Sequence, residues 1–259
     1  MAKAHLVDLS VPLAEHAAEP VPVVMERFGH AAGGRHLASL VDIDPCGLPD
    51  GLGWASERVS ALTHAGTHID APFHYSPRCA GRPSRTIDEL PLDWFWGDGV
   101  RIDARAGTGP FRVAELDAFE RRSGTRIAAG CIVLIATGAE EFHGTADYLE
   151  RGRAIDPQVI RALVGRGVRV LGTDAWSIDP PIKTMRDEAT KHGASGVWAA
   201  HFAGRDVEFC AIEKLCNLAT LPDRGFTVCC FPIKVAAGSA AWSRVVAFID
   251  ADGGGLNVA

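Results

Sequence analysis

His64-Ala65-Gly66-Thr67-His68-Ile69-Asp70-Ala71-Pro72-Phe73-His74 gathers three imidazoles and a carboxylate into eleven consecutive residues. His64, Gly66, His68, Asp70, Pro72 and His74 all fall on even positions. In extended backbone, side chains two residues apart share a face, so a strand would aim all four polar groups the same way. Gly66 would leave room between the first two rings. A helix does this less well. His64 and His68 would share a face, but at about 100° per residue Asp70 would point nearly opposite His68. Glycine and proline are also poor helix interiors. The pattern therefore predicts an extended segment that bends near Pro72. Two imidazoles and a carboxylate are a typical donor set for zinc and related divalent ions, and three protein ligands leave a position for water. His74 is a fourth group, able to serve as a further ligand or as a general acid or base.

Outward from this segment, Glu57 to Thr63 alternates like a strand running into the histidines. His5 to Leu9, Val100 to Asp103 and Val168 to Gly172 read as short strands, as do Phe226 to Val235 and Arg244 to Ile249. Cys131 to Thr137 is an unbroken apolar run closed by Gly138, the pattern of a strand buried on both faces. Pro110 to Arg122 repeats Val113, Leu116 and Phe119 at helical spacing, with Gly124 beyond its end. Asp156-Pro157 opens a second helix, with Val159, Ile160, Leu163 and Val164 as its core face. Mixed strands and helices point to an α/β or α+β fold. No internal repeat or linker divides residues 1–259, so one domain is expected, with long loops at about 15–57 and 175–200. Irregular stretches of that length are often a lid or a dimer arm.

The 259 residues are 47% hydrophobic and 22% charged, with a net charge of -6, which suits a globular protein and gives no basic stripe for nucleic acid. The apolar runs are too short to cross a bilayer, and Met1 to Asp8 lacks the apolar core of a secretory leader. The seven cysteines are odd in number and form no Cys-x-x-Cys. Reduced thiols in a cytoplasmic protein are the expectation, and none stands beside a histidine as a thiol nucleophile would.

Downstream, His192, His201, Glu208 and Glu213 form a second polar cluster, among which periodicity does not choose. Of the six tryptophans, Trp54 and Trp176 lie in irregular stretches and are the better candidates to line a substrate pocket; the others read as packing. Asp174 is either the partner of a ligand histidine or a turn cap.

The histidine segment resembles the signature of the cyclase-like metal-dependent hydrolases, a family that includes bacterial kynurenine formamidase and isatin hydrolase. The likeness runs through most of the chain: Leu6-Val7-Asp8-Leu9-Ser10, Leu171-Gly172-Thr173-Asp174 followed by Ser177, His201 with Ala211-Ile212-Glu213, and Phe231-Pro232-Ile233-Lys234. The resemblance implies a swivelling β/β/α-type fold with a mixed, barrel-like β core and flanking helices, assembled as a homodimer or homotetramer. It implies one or two divalent cations, Zn2+ or Mn2+. His64, His68 and Asp70 would hold one ion, and Asp70 would bridge to a second held by His201 and Glu213. His74 matches the family's catalytic histidine, and Ser177 joins Trp54, Asp174 and Trp176 as substrate or outer-sphere residues. The reaction implied is hydrolysis of an amide-type C–N bond in a small cyclic amide or formamide by metal-activated water. Glu213 matches the formamidase ligand pattern, whereas the added length around 20–57 and 175–200 is more like isatin hydrolase. Two rival readings are a metal-dependent lyase or cyclase on the same scaffold and a non-catalytic metal-binding protein.

Overall fold

The computed structural model describes residues 5–15 and 19–249. Residues 1–4, from the stretch read for a leader, and residues 16–18, from the first expected loop, lie outside that range. The strands, in chain order, are β1 (His5–Asp8), β2 (Val24–Phe28), β3 (Ser56–Ser60), β4 (His68–Asp70), β5 (Arg78–Cys79), β6 (Arg82–Pro83) and β7 (Trp96–Asp103). They continue with β8 (Ile132–Ala136), β9 (Val170–Thr173), β10 (Cys210–Glu213), β11 (Phe226–Cys229), β12 (Ala240–Trp242) and β13 (Val246–Ile249). The helices are α1 (His30–Leu40), α2 (Pro72–Tyr75), α3 (Val113–Ser123), α4 (Pro157–Gly165), α5 (Ile182–His192) and α6 (Ala199–Phe202).

Nine strands form one mixed, curled sheet in the order β1-β13-β11-β7-β8-β9-β10-β4-β12. Its centre, β7 to β10, is parallel, and the strands on both sides are antiparallel. β8 shows why the apolar run is continuous. Val133 and Ile135 enter one core with Leu116, Phe119, Val159 and Leu163 from α3 and α4, while Ile132 and Leu134 enter a second core with Ile69, Ile212 and Val228. A parallel strand covered on both faces has no polar side to alternate with.

α4 begins at its expected cap and α3 ends at its expected glycine, but α3 starts at Val113, three residues after the expected Pro110. The Asp156 carboxylate accepts the Gln158 N–H at 2.8 Å with Pro157 in the first turn, and Gly124 closes α3 at φ 65°. The expected strand over Phe226 to Val235 is shorter, ending at Cys229 ahead of Pro232, which has no N–H to give a ladder. The two stretches expected as loops contain regular structure. Residues 20–57 carry β2 and α1, and β3 pairs with β2 in a separate two-stranded sheet rather than leading into the histidines as a core strand. Here β3 is exposed along its whole length, so no inside-outside pattern marks the pair. α1 packs on the 51–54 segment through Gly33 and Gly34, where a Cβ would fall 1.8 Å from the Trp54 carbonyl oxygen and 2.1 Å from that of Gly51. α5 buries no residue and so offers no apolar stripe to detect. Among the described residues no helix is long and apolar enough to cross a membrane. All seven cysteines are unpaired; Cys79, Cys131, Cys210 and Cys230 are buried, Cys216 and Cys229 half-buried and Cys46 exposed.

Candidate metal centre

β4 is buried throughout. Ile69 points into one core, so the pleat sends His68 and Asp70 to the opposite face. Register supplies their neighbours. Glu213 of β10 lies opposite His68, and Ala211 and Ala240 flank Asp70 on its two sides. Small residues on both sides leave space around the carboxylate, and a second carboxylate stands beside the imidazole.

The extended geometry expected over the whole histidine segment holds only for these three residues. His64 arrives on a turn in which Gly66 takes φ +62°, a left-handed conformation open to glycine at little cost. The Gly66 carbonyl accepts a hydrogen bond from His68 Nδ1 at 2.9 Å, which fixes that ring. His74 arrives on α2, a single helical turn opened by Pro72. Tyr75 anchors that turn by stacking on Phe209, 4.7 Å between ring centres, over Gly204, where a Cβ would fall 2.3 Å from the Tyr75 ring. Strand, turn and helical turn bring the four groups together, where alternation along one strand does not.

His201 comes from α6, more than a hundred residues later. Asp179 places it: its carboxylate accepts the backbone N–H groups of Ala200 at 2.9 Å and His201 at 3.2 Å, and also the His201 Nδ1–H. That leaves Nε2 facing the centre, 3.6 Å from Asp70 Oδ2 and 3.5 Å from Glu213 Oε1. Asp179→Asn is expected to lower divalent-metal affinity about 10- to 100-fold, as loss of a carboxylate behind a ligand histidine does. Chelator competition on a protein with an unchanged circular dichroism spectrum checks this.

Two sets of donor atoms each lie within 4.8 Å of one another: His64, Asp70 and His74, and His68, Asp70 and Glu213. Asp70 is shared. Its Oδ1 is 2.8 Å from His64 Nδ1 and 3.3 Å from His68 Nε2. Yet both Asp70 oxygens and His68 Nε2 are buried without a hydrogen-bond partner. Buried polar atoms left without hydrogen bonds are costly, and a divalent cation coordinated by these atoms would offset that cost, so the donor set fits a metal ion.

Burial works against ionised Asp70, but the charges of His74 and His68 and the nearby rings of His201 and His64 outweigh it and hold the carboxyl well below its usual range. Burial and the Asp70 charge push the Glu213 carboxyl up. Burial would lower His201, yet its bond to Asp179 and the neighbouring Asp70 and Glu213 carboxylates lift it to about 10. Burial pulls His74 down to about 4, with His64 and His201 reinforcing and Asp70 opposing. A cation competes for the same negative field that protonates His201.

A cavity of about 410 Å3 opens onto His64, His74, His201 and Glu213. Trp176, Ser177 and Trp198 form part of its wall, with Leu62 and Ile182 among the apolar lining. The Trp198 ring stacks on His201 at 4.5 Å and 13° and meets His74 edge-on at 5.3 Å.

Every metal ligand that the family resemblance implied is thus in one place, as are His74, Trp176 and Ser177; of the wider downstream cluster, His192 stands exposed beside Glu188 on α5 and Glu208 pairs with Arg85, both away from the centre. Two residues are not. Trp54 is 43% exposed, packs edge-on against His36 of α1 and does not line the cavity; Trp198 takes that place. Asp174 is instead a loop clamp. Its buried carboxylate accepts N–H groups from Thr137, Gly138 and Glu140 and the Thr137 hydroxyl, at 2.7 to 3.3 Å, clamping the loop after β8. Asp174→Ala should therefore cost about 3 kcal/mol of stability through its stranded donors and leave metal affinity unchanged, as urea unfolding and metal titration would show. The carboxylate behind the histidine is Asp179. Its only mark in the sequence is the Asp-Pro-Pro turn at 179–181, which favours a cap as readily as a ligand partner.

Comparison with known proteins places these features in context. The kynurenine formamidase of Salinibacter ruber (strain DSM 13855 / M31) is 29% identical over 184 residues, 71% of this chain and 75% of that protein. The isatin hydrolase A of Labrenzia aggregata, solved bound to benzyl benzoate, superposes with a TM-score of 0.73 at 24% identity, covering 95% of this chain and 94% of that one. A structure described as a potential metal-dependent hydrolase with cyclase activity superposes with a TM-score of 0.61 at 19% identity, over 95% and 98% of the two chains. These likenesses agree on the mixed sheet and its helices. The Cyclase family model matches residues 7–180, a span that holds the whole His64–His74 segment and Asp179, and the chain belongs to that family.

Proposed function

We propose that the protein is a divalent-metal-dependent hydrolase that cleaves the amide-type C–N bond of a small aromatic cyclic amide or formamide. The observation that carries this reading is a buried, shared carboxylate without hydrogen bonds, ringed by imidazoles at the end of a tryptophan-walled cavity. Kynurenine formamidase and isatin hydrolase, the similar proteins, are both named for hydrolysis of such bonds.

His64, His68, Asp70, His201 and Glu213 would hold one or two divalent ions. A bound Zn2+ or Mn2+ supplies a Lewis acid and lowers the pKa of a coordinated water from 15.7 toward about 7. His74 is held neutral at pH 7 because its pKa sits near 4. A neutral ring accepts the proton released by the attacking water and returns it to the departing nitrogen. Trp176 and Trp198 line the cavity and offer apolar surface to an aromatic substrate.

The decisive experiment combines metal analysis of the purified protein with turnover of isatin and of N-formylkynurenine. A product heavier than substrate by one water, or release of formate, supports hydrolysis and fixes the branch. Elimination or cyclisation without water uptake, or metal binding with no turnover, overturns it. The seven unpaired cysteines favour a reducing, cytoplasmic setting. The β2–α1–β3 arm exposes Val24, Phe28, Leu40, Val41 and Val59, and a second copy of the chain covers them in a homodimer. Sedimentation equilibrium at twice the 27.5 kDa chain mass is the expected result.

A further inference from the structure

The wall of the cavity contains a charge pair that the hydrolytic reading leaves without a role. Lys214 follows the ligand Glu213 directly and is only 2% exposed. Its ammonium donates to both oxygens of Glu19 at 2.8 Å and to the backbone carbonyl of His64 at 2.8 Å. Glu19 Oε1 also accepts the Gly66 N–H at 2.8 Å. The Glu19 and Lys214 side chains are 6% and 3% exposed. Taking two charges out of water is costly before their attraction is counted, so such a pair is weak evidence of stabilisation and asks for another purpose.

Its connections supply one. The pair touches three separate segments: the strap at 19–21, which carries Pro20 and Val21 into the cavity wall; the turn from His64 to Gly66; and the end of β10. Every bond to the turn falls on its backbone, one on each side of Ala65. Gly66 at φ +62° has no side chain to hold that turn in place. The turn nonetheless has to present His64 Nδ1 to Asp70 at 2.8 Å.

We infer that Glu19 and Lys214 are positioning residues that fix the His64–Gly66 turn in its metal-bearing conformation, so that docking of the 19–21 strap and completion of the ion site are one event. This rests on the proposed metal centre but not on the reaction assigned to it. Without Glu19 the strap loses its anchor, the Gly66 N–H loses its acceptor and Lys214 loses its counter-charge. His64 is then free to leave Asp70.

The test uses the full chain with Glu19→Ala and Glu19→Gln. Zn2+ and Mn2+ are each titrated against a competing chelator, and amide hydrogen exchange is followed in peptides spanning residues 62–68. Metal affinity is expected to fall about tenfold or more in Glu19→Ala and about threefold in Glu19→Gln, which keeps an acceptor but no charge. Exchange at Gly66 should quicken in the same order. A lowered urea midpoint with metal affinity and Gly66 exchange within twofold of wild type in both variants would show a purely structural pair and overturn the inference. Should Glu19→Ala fail to fold, the near-isosteric Glu19→Gln decides alone by the same limits. Neither readout involves substrate, so a wild-type protein inactive on isatin and N-formylkynurenine would sink the hydrolase reading and leave this one standing.

Discussion

Asp70→Asn should abolish turnover and metal retention together. The substitution keeps size and shape but removes the charge at the one residue common to both donor sets. It also places an amide NH2 among imidazole nitrogens that need an acceptor. Loss of a cation that brings the pKa of water from 15.7 to about 7 removes up to ~10^8-fold of hydroxide at neutral pH, so a fall of at least ~10^3-fold is expected. Metal content after gel filtration and steady-state rates with added Zn2+ or Mn2+ check it. The histidines that hold the Asp70 carboxyl well below its usual range also make its charge contribute to the fold, so Asp70→Asn should lower the urea midpoint as well, and activity is compared only in variant protein with an unchanged circular dichroism spectrum. A variant that keeps its ion and more than a tenth of its activity would contradict the shared-carboxylate centre.

His74→Ala is expected to separate two roles the geometry allows. Its ring lies 4.1 Å from that of His64 and 5.5 Å from that of His201, and its donor atom falls within ligand range of Asp70. As a proton carrier it should lower kcat about 10^2- to 10^4-fold with metal content unchanged. As an indispensable ligand it should lower metal affinity as well. The pH profile discriminates further. A proton acceptor with its pKa near 4 works in the deprotonated form, so activity depending on His74 is lost as pH falls through that value and retained above it. His74→Ala should remove that acidic limb while leaving any limb due to the metal centre.

The chain announces its donors more clearly than the way they meet. The clustering of His64, His68, Asp70 and His74 is legible because metal chemistry restricts residue types. The parity argument then finds the right atoms partly for the wrong reason: β4 supplies only His68 and Asp70, the chain bends near Pro72 as expected, and Gly66, read as a spacer within the strand, instead turns the chain ahead of it. Caps and continuous apolar runs marked α3, α4 and β8 because local sequence sets those elements. β3 was marked as a strand by its alternation, but its partner β2 and α5 escaped because they bury little, and burial is what imposes periodicity. The ligand roles of His201 and Glu213 came from family likeness alone. Asp179 and the Glu19–Lys214 pair escaped for a different reason. Their partners are backbone amides and distant side chains, which no local pattern encodes.

Among the described residues β4 pairs only with β10 and β12, which begin at Cys210 and Ala240. During synthesis the histidine-rich stretch therefore leaves the ribosome long before either neighbour exists. Such distant pairing makes for slow closure, and the waiting apolar strands are exposed to aggregation. Cations that recognise only the closed sheet would draw the last step forward by mass action, so yield of folded protein in the cell should track metal supply during expression.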